Sequence, residues 1–213
     1  MRDRFARILP RGPKDFAFQL ALWFGFGFAY QVARGIADHE PLRSFLDGVL
    51  LIKIERALHL LVEPDLQRVV VHTGGVLLLA VNWTYWLSQF VVLALALLWI
   101  YLHRNDVFIR ARNWIFATNL LALVGYIAMP SIHAADALII GFFMASLVRH
   151  RWAKLAWTLW PSWVWFSVMA TGNHYWLDVA AGVGVAMLAG TWLAWFETRS
   201  SQVPAAITPT RRW

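Results

Sequence analysis

Two histidines in the chain stand beside polar residues at the beginning of apolar segments. His133 closes the run Pro130-Ser131-Ile132-His133, and His174 lies four residues before Asp178. Residues four apart share a face of a continuous helix, so the Asp178 carboxylate can hold one imidazole nitrogen of His174. The other nitrogen is then available as a base or a nucleophile.

These side chains form a complete set for phosphoryl transfer without a metal ion. His174 would be the nucleophile and Asp178 its orienting carboxylate. His133, from a neighbouring helix, would be the general acid that protonates the leaving group. Asp136 follows His133 by three residues and so lies on the same helix face. There it would tune His133 or bind a polar acceptor.

The composition is typical of a membrane protein. Of the 213 residues, 60% are hydrophobic and 15% charged, whereas soluble domains have roughly half and a quarter. The 14 tryptophans agree with this class, because membrane proteins place tryptophan at both interfaces. The absence of cysteine excludes disulfides, thiolate chemistry and Cys-ligated metals. Ionisable side chains are costly to bury in hydrocarbon, so the two histidines are functional candidates.

We predict an all-α fold, an integral membrane bundle of about six transmembrane helices. A spanning helix needs about 20 mostly apolar residues, and the best windows are residues 16–33, 83–102, 114–129, 133–148, 155–170 and 177–196. The basic amino terminus and first apolar run resemble a signal peptide. No small-x-small cleavage site stands near Ala33, so we expect a retained span. Residues 1–198 would form one catalytic domain and residues 199–213 a disordered cytoplasmic tail.

The segment between the first two spans is expected to lie at the membrane surface. Residues 44–62 alternate apolar and charged residues, a pattern typical of a helix in the interface plane. Residues 69–81 are apolar but are interrupted by Gly74-Gly75, and joined to the next span they would exceed a single crossing. We therefore interpret them as a re-entrant or interfacial segment.

The basic residues are divided unequally between the two membrane sides. In a six-span topology, 14 of the 19 Lys and Arg residues lie at the termini and in the second and fourth connectors. By the positive-inside rule, both termini of this multi-pass protein are cytoplasmic in the cell membrane, and both histidine motifs lie at the extracytoplasmic face. The net charge of +7 thus reflects topology and contact with anionic membrane lipids. No nucleic-acid partner is expected.

The motifs Pro130-Ser-x-His133 and His174-x-x-x-Asp178 resemble two signature motifs of the type 2 phosphatidic acid phosphatase superfamily. The run from Gly172 to Gly182 is most similar to the branch that contains inositol phosphorylceramide synthases and their bacterial relatives. The resemblance implies a helical membrane enzyme acting on a lipid-linked phosphate through a phosphohistidine at His174, with no metal and no cofactor. Within these motifs, Ser131 and Asn173 would help to bind the substrate.

The chain departs from that superfamily's pattern at two places. Val168 stands six positions before His174, where the phosphatase branch has an arginine. The basic first motif is not visible, because Met129 runs directly into Pro130 after the third span. A transferring phosphoryl group needs charge neutralisation, so another cation must bind it. Arg34 is the first candidate, followed by Arg43, Lys53, Arg56 and Arg68.

Other interpretations remain open at this stage. Asp178 also suits a helix amino terminus as a cap, and Arg34 can simply extend to the headgroups. A haem-binding electron carrier would use His133 and His174 as axial ligands. A non-catalytic scaffold or lipid-binding relative would account for the missing first motif. Within the enzyme hypothesis the lipid, the choice between hydrolysis and transfer, and the presence of a homo-oligomer are undecided.

Overall fold

The computed structural model describes residues 9–37, 41–124 and 130–202, and within these ranges it is built of helices without a strand. The helices are α1 Gly12–Ala37, α2 Pro41–Ala57, α3 Glu63–Thr73, α4 Gly75–Leu87, a π-helical turn Ser88–Val92, α5 Leu93–His103, α6 Asn105–Val124, α7 Ile132–Leu147, α8 Arg151–Ala170 and α9 Trp176–Gln202.

Each of the six predicted spans falls on a helix as far as the structure describes it, and the all-α membrane fold is confirmed. Residues 125–129 of the third predicted span lie outside the described residues. Four helical stretches are long and apolar enough to cross a membrane: Gly12–Ala33, Gly75–His103, Asn105–Val124 and Trp176–Ser200. The fourth predicted span is the shorter apolar helix α7, and the fifth is α8. Helix α9 continues to Gln202, so residues 199–202 of the expected tail are helical. Residues 203–213 lie outside the described residues.

The prediction that residues 69–81 form a segment separate from the next span is wrong from residue 75 onward. Gly74 has a φ of +59° and separates α3 from α4. From Gly75 the helix then runs without interruption through the π-helical turn to His103, over 29 residues. At 1.5 Å per residue this is about 44 Å, more than the roughly 30 Å of the hydrocarbon layer. A long helix is accommodated by tilt or by extension beyond the hydrocarbon.

Helix α7 lies at the centre of the bundle, and small residues let its neighbours approach closely. A Cβ atom built on Gly141 would lie 2.8 Å from the Pro161 ring of α8. On α9, a Cβ on Gly190 would lie 2.4 Å from the Trp114 ring, and Trp114 Nε1 donates to the Ala186 carbonyl at 2.7 Å. These contacts agree with the close packing that small-xxx-small stripes allow in membranes.

Helix α1 forms one side of the bundle and packs mainly through aromatic rings. Phe26 stacks on Phe116 of α6 with ring centroids 4.1 Å apart. Near the other end of the helix, Asp15 accepts a hydrogen bond from the Tyr101 hydroxyl at 2.9 Å. Large apolar side chains on the opposite face, such as Phe24 and Phe28, are exposed. Such a face suits contact with lipid rather than with water.

Candidate active site

His174 lies in the turn that joins α8 to α9. The turn is a Schellman motif, in which Gly172 has a φ of +73° and its N–H donates to the Met169 carbonyl. The N–H groups of Asn173 and His174 both donate to the Val168 carbonyl, at 3.1 and 3.2 Å. Val168, which stands where an arginine was expected, therefore holds the His174 backbone through its carbonyl.

The carboxylate of Asp178 faces His174 across the first turn of α9. The distance from His174 Nδ1 to Asp178 Oδ2 is 3.5 Å, and the same oxygen accepts the Tyr175 N–H at 3.0 Å. The helix begins at Trp176, so the two residues meet through a capping turn and not along a continuous helix as expected. Asp178 both caps the helix and contacts the histidine, so the two interpretations of this residue are compatible.

The Pro130-Ser131 motif is joined directly to the His174 motif. Ser131 N donates to the Asp178 carbonyl at 2.9 Å, and the Ser131 side chain accepts the Ala134 N–H at the start of α7. A Cβ atom on Gly182 would lie 2.3 Å from the Ser131 carbonyl. Only a glycine at residue 182 lets α9 approach the beginning of α7 this closely.

The imidazoles of His133 and His174 lie next to each other, with ring centroids 5.7 Å apart and planes inclined by 57°. On its other side His133 stacks on Tyr85 of α4, with centroids 4.8 Å apart and planes 16° apart. The two histidines thus have different surroundings: His174 contacts a carboxylate, and His133 contacts an aromatic face.

Asp136 is buried one turn beyond His133 and is held by two amides. Gln89 Nε2 donates to one carboxylate oxygen at 2.8 Å and Asn119 Nδ2 to the other at 3.0 Å. Gln89 belongs to the π-helical turn, a feature that often occurs at functional sites. Asp136 therefore links α6, α7 and the long α4–α5 helix beneath His133.

A cavity of about 780 Å³ extends from His133 and Asp136 between α1, the α4–α5 helix and α6. On α1 its lining runs from Phe16 to Gln31, about 22 Å along the helix axis. Aromatic and aliphatic side chains form most of the wall. Among the described residues of the lining, Arg112 is the single Lys or Arg, and it donates to Gln19 of α1 at 2.5 Å.

Two buried glutamates beside the site were not singled out from the sequence. Glu55 of α2 accepts the Leu177 N–H at 2.7 Å, and Glu63 at the start of α3 accepts the Trp176 N–H at 2.6 Å. Their relative exposures are 0% and 3%. Glu55 lies in the segment 44–62, whose charged residues were interpreted as those of a helix in the interface plane, and Glu63 lies just beyond that segment.

The remaining predicted binding residues are placed as follows. Ser131 is fully buried as the cap of α7, and Asn173 is exposed and donates to the Thr171 hydroxyl at 2.8 Å. The backbone of Arg34 lies in α1, and its side chain is outside the described part of the chain, as is that of Arg43. The exposed Arg68 is paired with Asp65; Lys53 and Arg56 are also exposed.

Comparison with protein families identifies the fold. A family model described as the PAP2 superfamily matches residues 49–127 and 124–192. These matches cover more than half of the 213 residues and include both histidine motifs. No curated protein and no solved structure gives a significant match. The chain therefore belongs to the PAP2 superfamily, and is a membrane protein of phosphatase type.

Proposed function

We propose that this protein is a phosphatase or phosphotransferase that acts on a lipid-linked phosphate through a phosphohistidine at His174. The observation that carries the proposal is the arrangement of two adjacent imidazoles, one of which is backed by a carboxylate. A nucleophile, an orienting group and a proton donor are the parts that such a transfer requires.

In the first step, Nε2 of His174 attacks phosphorus while Nδ1 faces Asp178. A phosphorus–nitrogen bond forms as the bond between phosphorus and the leaving oxygen breaks. The leaving oxygen keeps the electron pair and takes a proton from His133, the general acid. Asp178 stabilises the positive charge that develops on His174, and Tyr85 stacks on the His133 ring.

In the second step, an acceptor hydroxyl attacks the phosphohistidine. Neutral His133 takes the proton of that hydroxyl, the phosphorus–nitrogen bond breaks, and His174 returns to its neutral form. With water as acceptor the result is hydrolysis. With a sugar, inositol or lipid hydroxyl it is transfer, as in the inositol phosphotransferase-like branch to which we assign the chain on its Gly172–Gly182 run.

The substrate's apolar part is assigned to the cavity that opens at His133. An aromatic and aliphatic wall of this length suits a hydrocarbon tail better than a soluble metabolite. The tail would enter laterally beside α1, and the phosphate would meet the histidines at the end of the bundle. From the unequal distribution of basic residues, we place that end at the extracytoplasmic face.

The phosphate still needs a cation in addition to the two histidines. We retain Arg34 for this role because its helix, α1, also lines the cavity. In this proposal Asp136 holds His133 in place and does not touch phosphate, because both its oxygens already accept amide hydrogen bonds.

The test is turnover in detergent with EDTA present, on phosphatidate, isoprenyl phosphates and phosphoinositides. Phosphate release and headgroup exchange are measured for wild type, His174→Ala, His133→Ala and His150→Ala. His150 is exposed at the start of α8 and makes no capping bond, so it is the matched control. We expect metal-independent turnover that is abolished in His174→Ala, at least about 100-fold lower in His133→Ala, and unchanged in His150→Ala.

Two results would favour other functions. Absence of turnover on every substrate, with the protein intact, would point to the scaffold or lipid-binding hypothesis. A Soret absorption band in the purified wild type that disappears in His133→Ala would point to the haem hypothesis.

A further inference from the structure

Three consecutive backbone N–H groups at the start of α9 are bound by three carboxylates from different helices. Tyr175 N donates to Asp178 of α9 itself, Trp176 N to Glu63 of α3, and Leu177 N to Glu55 of α2, at 3.0, 2.6 and 2.7 Å. The free N–H groups of a helix amino terminus ordinarily form an anion site. Here the protein's own carboxylates occupy that site.

The second oxygens of Glu55 and Glu63 are buried and meet no donor among the described residues. Their first oxygens accept the N–H groups of the consecutive residues Trp176 and Leu177, so the two carboxyl groups lie beside each other, and one proton between them would satisfy both buried oxygens. The other charged group that acts on Glu55 is also acidic, Asp178, which in turn contacts His174. Burial, together with these acidic neighbours, raises the pKa of Glu55. Two adjacent buried carboxyl groups are known to share a single proton.

We propose that Glu55 and Glu63 are positioning residues that share one proton and hold the first turn of α9, so that His174 faces His133. Through this pair, the segment α2–α3 supports the start of α9. The effect of this pair on catalysis rests on the proposed function. The shared proton also lowers the negative charge near the phosphate, because three ionised carboxylates at one helix end would repel the substrate.

A shared proton predicts effects of substitution that a role in packing alone would not produce. In Glu55→Gln the amide oxygen still accepts the Leu177 N–H, and the amide NH₂ donates to Glu63 as the shared proton did. Glu63→Gln is equivalent by the same reasoning. In the double variant both amide oxygens accept backbone N–H groups, so two NH₂ groups face each other without an acceptor. The single variants are therefore tolerated and the double variant is not.

The experiment measures kcat, KM and the melting temperature in detergent between pH 5 and 9. The variants are Glu55→Gln, Glu63→Gln, the double variant and Glu55→Ala. Asp65→Asn is the control, since Asp65 is an exposed acid on the same helix as Glu63. For each single Gln variant we expect kcat within about threefold of wild type. For the double variant and Glu55→Ala we expect kcat to fall by about tenfold or more, with little change in KM.

The pH dependence of the melting temperature tests whether the two carboxyl groups share a proton. The pKa of Glu55 is raised in the folded state, so its contribution to stability is complete below the unfolded value and is lost as pH rises through the folded one. The melting temperature of wild type should therefore fall toward alkaline pH by about 2–4 °C more than that of Glu55→Gln. Equal pH profiles in these two proteins, or a double variant no worse than the single ones, would overturn the shared proton.

Failure of this proposal and failure of the proposed function are distinguishable. The melting temperatures need no substrate, so the expected stability pattern without any turnover would refute the enzyme and leave the proton-sharing pair standing. A normal kcat in Glu55→Ala would refute the positioning role even in an active enzyme.

Discussion

At the scale of single residues, the two histidines acquire different roles from their neighbours. His174 has a carboxylate 3.5 Å from Nδ1, which in the proposed mechanism orients the ring and stabilises its positive charge in the transition state. His133 has the Tyr85 ring against one face and His174 beside it. In the proposed mechanism the proton required by the leaving group is assigned to His133, because His174 is the nucleophile.

Asp178→Asn tests the orienting carboxylate. The asparagine retains the shape of the side chain and can still accept the Tyr175 N–H, but it no longer stabilises a charged imidazole. We expect kcat to fall roughly 100-fold or more while the melting temperature changes little. Asp106→Asn, which alters an exposed ion pair with Arg104, should retain full activity. An Asp178→Asn enzyme with near-normal kcat would contradict the assigned role.

The local part of the site was predictable from the sequence because its members are close along the chain. The spacing of His174 and Asp178 predicts their contact, although a capping turn and not a helix brings it about. Apart from the approach of His133 to His174, which the two motifs predicted, contacts across the bundle were not predictable. Gln89 reaches Asp136 over 47 positions, and Glu63 reaches Trp176 over 113. Such pairs depend on how helices pack, and no local pattern in a single sequence encodes that.

At the scale of helices, the site depends on how closely α9 approaches the beginning of α7. Gly182 supplies this approach, with the Ser131 carbonyl where its Cβ would be. Ser131 in turn donates to the Asp178 carbonyl. Gly182, Ala186 and Gly190 form a small-xxx-small stripe in the sequence of α9, but the sequence does not show which helix packs against it. The same limit explains the error over residues 75–81, where hydropathy alone could not tell a long crossing helix from a separate surface segment.

Gly182→Ala is expected to separate the two motifs. The added methyl group would lie 2.3 Å from the Ser131 carbonyl oxygen, a backbone atom that cannot rotate away, so the helices must shift, at a cost of about 1–3 kcal/mol. The melting temperature and kcat should both fall. The matched control is Gly184→Ala, where nothing lies within 4 Å of the new methyl group, and which should be neutral or stabilising. Equal behaviour of the two variants would contradict the packing argument.

At the scale of the whole molecule, the fold joins an apolar cavity to a polar site at one end of the bundle. The cavity follows α1 for about 22 Å, and the histidines lie where it ends. Composition predicted the membrane bundle because apolar length is a strong signal. The cavity was beyond prediction, because its walls come from residues far apart in the chain.

The orientation in the membrane can be tested directly because the chain has no cysteine. Leu58→Cys, at the exposed end of α2, reports on the side of the histidine motifs, and His150→Cys reports on the opposite side. A membrane-impermeant maleimide added to intact cells should label Leu58→Cys alone, and lysis should make His150→Cys reactive. The reverse labelling pattern would place the site at the cytoplasmic face.

The most direct test of the central claim is to trap the phosphorylated enzyme. Wild type, His174→Ala and His150→Ala are mixed with a lipid phosphate that wild type turns over, labelled in its phosphate, and quenched at alkaline pH, where phosphohistidine is stable. We predict an alkali-stable, acid-labile label on the peptide carrying His174, present in wild type and His150→Ala and absent in His174→Ala. Turnover by wild type without such a label, or a label that persists in His174→Ala, would contradict a phosphohistidine mechanism at His174.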